Sequence, residues 1–183
     1  MNFKKIYWGF IFFVDIRMQN FDILPDVIGY ILIFIGLSGL SQKNRKFEIA
    51  KWSSIPLIIL SLGDFYRSPN LLNNYVIPST NIPVLYLVIV VINLILIYNL
   101  CYGISEEAKK LNLFNLEIGS IRKWKFYFKC HCVTAVIFLL CGGNENMLIW
   151  LIIPVGLAYL VAYLSMIELM DTASKELEVK FNL

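Results

Sequence analysis

A chain of 183 residues that is 58% hydrophobic and 16% charged carries more apolar surface than a soluble core of that length hides. Its formal net charge of +3 points to no nucleic-acid partner. The cysteines Cys101, Cys130, Cys132 and Cys141 lie in or beside apolar runs without framework spacing, which argues against a disulfide scaffold.

The chain opens with Lys4-Lys5 and an apolar run from Ile6 to Val14, like the start of a signal peptide. Asp15-Ile16-Arg17 follows where a small-residue cleavage site would stand, so residues 6–18 read as an uncleaved membrane segment. Such a segment rises about 20 Å against a hydrocarbon core of about 30 Å. It spans with Lys5 and Arg17 snorkelling, or it lies in the interface. Segment two, 23–40, is long enough to cross, and 41–51 is polar and basic. Segment three, 49–66, carries Pro56, which should kink it. Residues 67–81 are rich in Pro, Asn and Ser and read as a loop.

Segment four, 82–104, is the strongest span, without a single charge. Residues 105–123 mix charges with Leu111, Leu113, Phe114, Leu116 and Ile118, the pattern of a helical extension followed by an interfacial amphipathic piece. Segment five, 125–141, stops at the turn signal Gly142-Gly143-Asn144. Segment six, 147–169, closes the bundle, and 171–183 is a short charged cytoplasmic tail. The expected fold is therefore all-α: one integral membrane domain over residues 1–183, a polytopic bundle of six transmembrane helices, five if the first is interfacial. A weak repeat of Leu24-Pro25, Ile82-Pro83 and Ile153-Pro154 at the starts of alternate helices fits three helical hairpins.

Orientation follows from Lys and Arg. With six spans and the N-terminus inside, fourteen of the sixteen fall on the inner side, and only Arg17 and Arg67 fall outside. Both termini are then cytoplasmic and the location is the cell membrane. Tyr7, Trp8, Trp52, Tyr102, Trp124 and Tyr127 fall near inner ends and Tyr66, Tyr86 and Trp150 near outer ends, as interfacial belts do.

The unusual groups collect at the outer ends: Asp15 and Arg17, Asp22 and Asp26, Asp64 and Arg67. On one helix, Asp22, Asp26, Gly29, Ile33, Gly36 and Leu40 would share a face, with the glycines admitting a close neighbour. One reading is structural: aspartates that cap a helix start, and ion pairs that orient the bundle. The other is a site for a proton, a cation or a ligand, because ionisable groups at membrane depth are costly and often functional.

Cys130-His131-Cys132 does not make a metal site, since the two cysteines point about 200° apart on a helix. His131, the single histidine, reads as an interfacial or packed residue, with a proton relay as the alternative. No catalytic motif and no cofactor signature is present, so the chain does not read as an enzyme. The stretch Asp22-Ile23-Leu24-Pro25-Asp26-Val27-Ile28-Gly29-Tyr30 resembles one in small uncharacterised multi-pass membrane proteins of Gram-positive bacteria, over residues 8–40. The richness in Ile, Asn, Lys and Phe suits a low-GC bacterium.

The resemblance implies a membrane protein and no mechanism. Two functions compete. The first is a non-enzymatic accessory, regulatory or self-protection protein that acts in the lipid bilayer through another membrane protein or a second copy of itself. The second is a small transporter or channel with an outward-facing acidic cation or proton site. Polar groups along segments four and six are sparse (Asn93, Asn99, Ser165), which favours the first.

Overall fold

The computed structural model describes residues 2–13, 17–18, 21–22, 26–62, 82–141 and 145–181. It is helical throughout apart from one two-residue antiparallel pairing. The helices are α1 (Asn2–Phe12), α2 (Asp26–Leu40), α3 (Arg45–Ser61), α4 (Ile82–Lys110), α5 (Phe114–Cys141) and α6 (Glu145–Phe181). Between α1 and α2, β1 (Arg17–Met18) pairs with β2 (Phe21–Asp22), setting Arg17 opposite Asp22.

Local chemistry sets the helix ends. Leu24 precedes Pro25, a position that disfavours helix, and α2 begins only at Asp26. Asp22 therefore lies in β2, and the helical face expected to run from Asp22 to Leu40 starts one turn later. Asn44 caps α3, its side-chain oxygen accepting from the Lys46 N–H at 2.8 Å. That cap starts α3 at Arg45, ahead of the expected 49, and the helix runs on through Pro56. The expected end of this segment at 63–66 lies outside the described residues, as does the loop 67–81.

At the end of α4, Asn112 takes a φ of 56°. The Leu113 N–H bonds to Ala108 O and the Asn112 N–H to Lys109 O, a left-handed cap that asparagine tolerates. The chain then re-enters helix at Phe114 and continues to Cys141. The amphipathic piece expected before residue 123 is thus the first half of α5, not a separate interfacial helix. Likewise the charged stretch 171–181 continues α6, with Ala173 and Leu177 fully buried.

Each helix packs on its sequence neighbours, and α6 returns to α1, so the six form a closed up-and-down ring. The pairs expected as hairpins are packed, and so are α2–α3, α4–α5 and α6–α1. One end of the ring is tied by polar contacts. The Phe3 N–H donates to Glu178 Oε1 at 2.6 Å. Asn44 Nδ2 donates to Glu106 and Glu107 at 2.8 and 3.0 Å, and Lys180 Nζ to Leu111 O at 3.3 Å. Lys4, Lys5, Arg45, Lys46, Lys109, Lys110 and Lys180 lie in the helix turns at this end.

Just inside it is an apolar core of Phe3, Ile6, Ile33, Leu37, Leu40, Leu100, Ile104 and Met170. There α4 and α6 meet across the ring, with Cys101 Sγ 3.9 Å from Met166 Sδ. The outward faces of the long helices remain apolar: Leu87, Val91 and Ile95 on α4, and Leu157, Val161 and Leu164 on α6. Two stretches among the described residues, Leu87–Lys110 and Pro154–Glu178, are long and apolar enough to cross a membrane.

Candidate functional site

Past the apolar core, away from the basic end, the ring opens into a cavity of about 480 Å³. Phe10 and Phe13 line it from the end of α1, and Asp26 and Tyr30 from the start of α2. Asn93 and Ile97 face it from α4, Tyr127 from α5, and Gly156, Tyr159, Leu160 and Tyr163 from α6. The spacing of these residues is helical. Tyr159 and Tyr163, Asp26 and Tyr30, and Asn93 and Ile97 are each four apart, one turn along one face.

The α1–α2 wall is fixed by glycines. A Cβ on Gly9 would stand 2.7 Å from Gly29 O, and one on Gly29 would stand 2.8 Å from Gly9 O. On Gly36 it would stand 2.7 Å from Asn2 O. Backbone therefore lies against backbone along the whole hairpin, as the glycines of segment two lead one to expect. Gly29, Ile33, Gly36 and Leu40 are all buried on the predicted face. Gly9 completes the seam from the other helix and has no counterpart in the sequence reading.

The opposite wall is held by hydrogen bonds. Asn93 Nδ2 lies 3.4 Å from Tyr127 Oη, Tyr127 Oη 3.4 Å from Tyr159 Oη, and Tyr159 Oη 2.9 Å from His131 Nε2. His131 Nδ1 lies 3.1 Å from the Tyr127 carbonyl oxygen, which can only accept. In a neutral imidazole Nδ1 then carries the proton and Nε2 accepts from Tyr159. Direction follows along the chain: Tyr159 accepts from Tyr127, and Tyr127 accepts from Asn93. Asn93 Nδ2 is thereby committed, while its Oδ1 is buried without a hydrogen-bond partner among the described residues. Tyr163 Oη donates to the Phe10 carbonyl in the last turn of α1, which also accepts from the Phe13 N–H at 3.1 Å.

The depth of the cavity is set by unequal helix lengths. Asn93 lies about 16 Å along α4 from Ile82, and Tyr159 about 21 Å along α6 from Glu145. The short helices α1 and α2 end at that level. Asp26, expected at the outer rim, therefore stands beside the middle of α4 and α6.

Of the six charged residues singled out by sequence, Asp26 lines the cavity. Asp15, Asp64 and Arg67 lie outside the described residues. Arg17 and Asp22 are described through their backbone pairing alone. The structure adds Tyr30, Asn93, Tyr127, Tyr159 and Tyr163. Tyr127, expected in an inner aromatic belt, is buried in the cavity wall. The available signal was the i, i+4 pairing of Tyr127 with His131 and of Tyr159 with Tyr163 inside apolar runs. His131 is packed between Tyr127 and Tyr159, with ring centroids 4.5 and 4.9 Å away. The described residues include no group of three or more His, Cys, Asp or Glu side chains placed to hold a metal ion. No protein-family model, curated protein or solved structure matches the chain.

Proposed function

We propose that the chain is a multi-pass cell-membrane protein, with its basic end and both termini in the cytoplasm, that binds and moves a small cation through its central cavity. The observation that carries this reading is the meeting of Asp26 with Asn93 and the tyrosines in one cavity, level with the middle of the uncharged segment of α4. A carboxyl group at that depth is costly, and such groups often mark a functional site. The sequence alone favours a partner-binding accessory protein because polar groups are sparse along α4 and α6. The cavity answers that objection: the few there are converge at one level, joined by polar groups from α2 and α5.

A membrane location with the basic end inside is supported by the Lys and Arg distribution and by the exposed apolar faces of α4 and α6. The buried apolar layer of Ile33, Leu37, Leu100 and Met166 separates the cavity from the basic end, which favours a site closed on the cytoplasmic side over an open pore. Arg122, Lys125 and Lys129 recur along α5 beside Ile118 and Phe126, as suits a helix crossing the cytoplasmic headgroup layer.

The test is cation or proton uptake by liposomes carrying the purified protein. Asp26→Asn keeps the capping capacity of the helix start and removes the charge. Uptake is expected in the wild type and is expected to fall to the level of empty liposomes in the variant. Unchanged uptake in Asp26→Asn, or none in the wild type, overturns the reading.

A further inference from the structure

Resting on the orientation in that reading, with the basic end in the cytoplasm, we infer that the outer face of α5 is a lipid site. Arg122, Lys125 and Lys129 hold the headgroup of an anionic phospholipid of the cytoplasmic leaflet. The first ground is the direction in which these cations point. An open recess of about 470 Å³ lies on this face, lined by Ile118, Ile121, Arg122, Lys125, Phe126 and Lys129. At about 100° per residue, Lys125 stands about 180° from Leu116 and about 200° from Tyr127, which α5 buries in the ring. Arg122, Lys125 and Lys129 are all exposed and turn away from the ring.

The second ground is their lack of counter-charge. Lys110, Lys123 and Lys175 each meet a carboxylate, at 2.6, 2.8 and 2.6 Å. Among the described residues, Arg122, Lys125 and Lys129 have no ion pair, and no Asp or Glu lines the recess. Like charges three and four residues apart on a helix repel. An anion seated among them offsets that cost.

The third ground is depth. Lys123 pairs with Glu168, the first charge after the uncharged run of α6. Beside it, Trp124 packs on Tyr98 at 5.4 Å between centroids, and Lys46 Nζ lies 5.4 and 5.9 Å from the Tyr98 and Tyr102 rings. Aromatic rings and lysines gathered at one level mark a membrane interface. Lys125 and Lys129 lie about 3 and 9 Å further along α5, where lysine stems snorkel back to the headgroups. The same outward stripe then turns apolar at Val133 and Val136, both exposed. Cations at the headgroup level followed by an apolar strip match a phospholipid, charged at one end and acyl beyond it. A soluble anion would leave the strip uncovered.

The experiment is native mass spectrometry of the full chain released from detergent micelles, titrated with dioleoyl phosphatidylglycerol and dioleoyl phosphatidylcholine. The two lipids share their chains and their phosphate and differ in net charge. Phosphatidylglycerol should bind on the order of a hundredfold more tightly, about fivefold for each of the three cations. Arg122→Gln, Lys125→Gln and Lys129→Gln should each lose about fivefold. The triple variant should bind the two lipids alike, with thermal unfolding like that of the wild type. Lys123→Gln, whose charge is committed to Glu168 on the other side of the helix, should keep wild-type binding.

Equal binding of the two lipids by the wild type overturns the inference, as does displacement of phosphatidylglycerol by inorganic phosphate, which marks a free-anion site. Wild-type lipid binding in the triple variant overturns it too, and loss of a wild-type dimer in that variant then assigns the stripe to acidic groups of a second copy. Lipid selectivity without cation uptake overturns the transport reading and leaves the lipid site standing. Uptake with equal binding of the two lipids overturns the lipid site alone.

Discussion

The α1–α2 hairpin and the α4–α5–α6 side of the ring pack by opposite rules. In the hairpin, small residues let two backbones touch. Gly9 lies against Gly29, and Gly36 against the Asn2 backbone, with the Asn2 side chain against Gly39 at the basic end of the seam. On the other side, bulky polar aromatics hold the helices apart and bond to one another across the gap, from Asn93 through Tyr127 and Tyr159 to His131. The first arrangement leaves no space and the second leaves a cavity. Helix–helix association in an apolar medium gains from close van der Waals contact and from hydrogen bonds, and this chain assigns the two to different walls. The rigid wall presents Asp26 and Tyr30, and the bonded wall faces them.

Substitutions at glycine should separate the two walls most sharply. Gly29→Leu forces a side chain against Gly9 O and the Phe13 ring, which backbone contact does not allow to relax. Overpacking of this kind should cost on the order of 3 kcal/mol or more. It should appear as a large fall in thermal stability in detergent. Gly156→Leu, on the cavity side, where a Cβ meets nothing within 4 Å, should leave stability unchanged. Equal losses in both variants would erase the distinction between a tight and an open wall.

A middle-sized effect is expected where the two walls are joined. Tyr163→Phe keeps the ring against Phe10, whose centroid lies 6.2 Å away, and removes the hydroxyl bonded to the Phe10 carbonyl. The loss should be about 1 kcal/mol, the net worth of one buried hydrogen bond, read from chemical or thermal unfolding. A loss as large as that of Gly29→Leu would mean that this bond, and not the glycine seam, sets the position of α1. The smallest effect belongs to the periphery. The pair of Lys123 with Glu168 spans α5 and α6 at 2.8 Å, but the Glu168 side chain is 72% exposed. Lys123→Gln should change stability by only a few tenths of a kcal/mol. A larger change would show that charge pairing, and not the tyrosine chain, holds α5 to α6.

Much of the helical framework is legible without coordinates. Uncharged runs fix where α4 and the first half of α6 lie, because such runs need shielding on every side. The phase of α2 is legible too: Gly29, Ile33, Gly36 and Leu40 recur at helical spacing, and all are buried. Pro25 marks a helix start by its own backbone chemistry, whereas the Asn44 side-chain cap starts α3 ahead of the expected 49. Asp26 is recognisable as unusual because a carboxylate opens an apolar helix.

The site as a whole is not legible, and the reason is relative displacement along parallel axes. A sequence gives each helix its length and its face, but not which turn of one helix stands beside which turn of another. Counting from the ends of the segments puts Asp26 at the outer rim. The contacts of Gly9 with Gly29 and of Tyr163 with Phe10 instead set the short helices against the inner part of α6, which brings Asp26 level with Asn93 and Tyr159. Tyr127 shows the same limit: counted from the nearest charges it belongs to an interfacial belt, and packed in the ring it walls a cavity. What the sequence determined by itself is the set of apolar helices, their buried faces and the sorting of basic residues, since these depend on the local spacing of side chains. The level at which the helices meet, and hence the cavity, was decided only by the tertiary structure, because it depends on which surfaces come into contact across the ring.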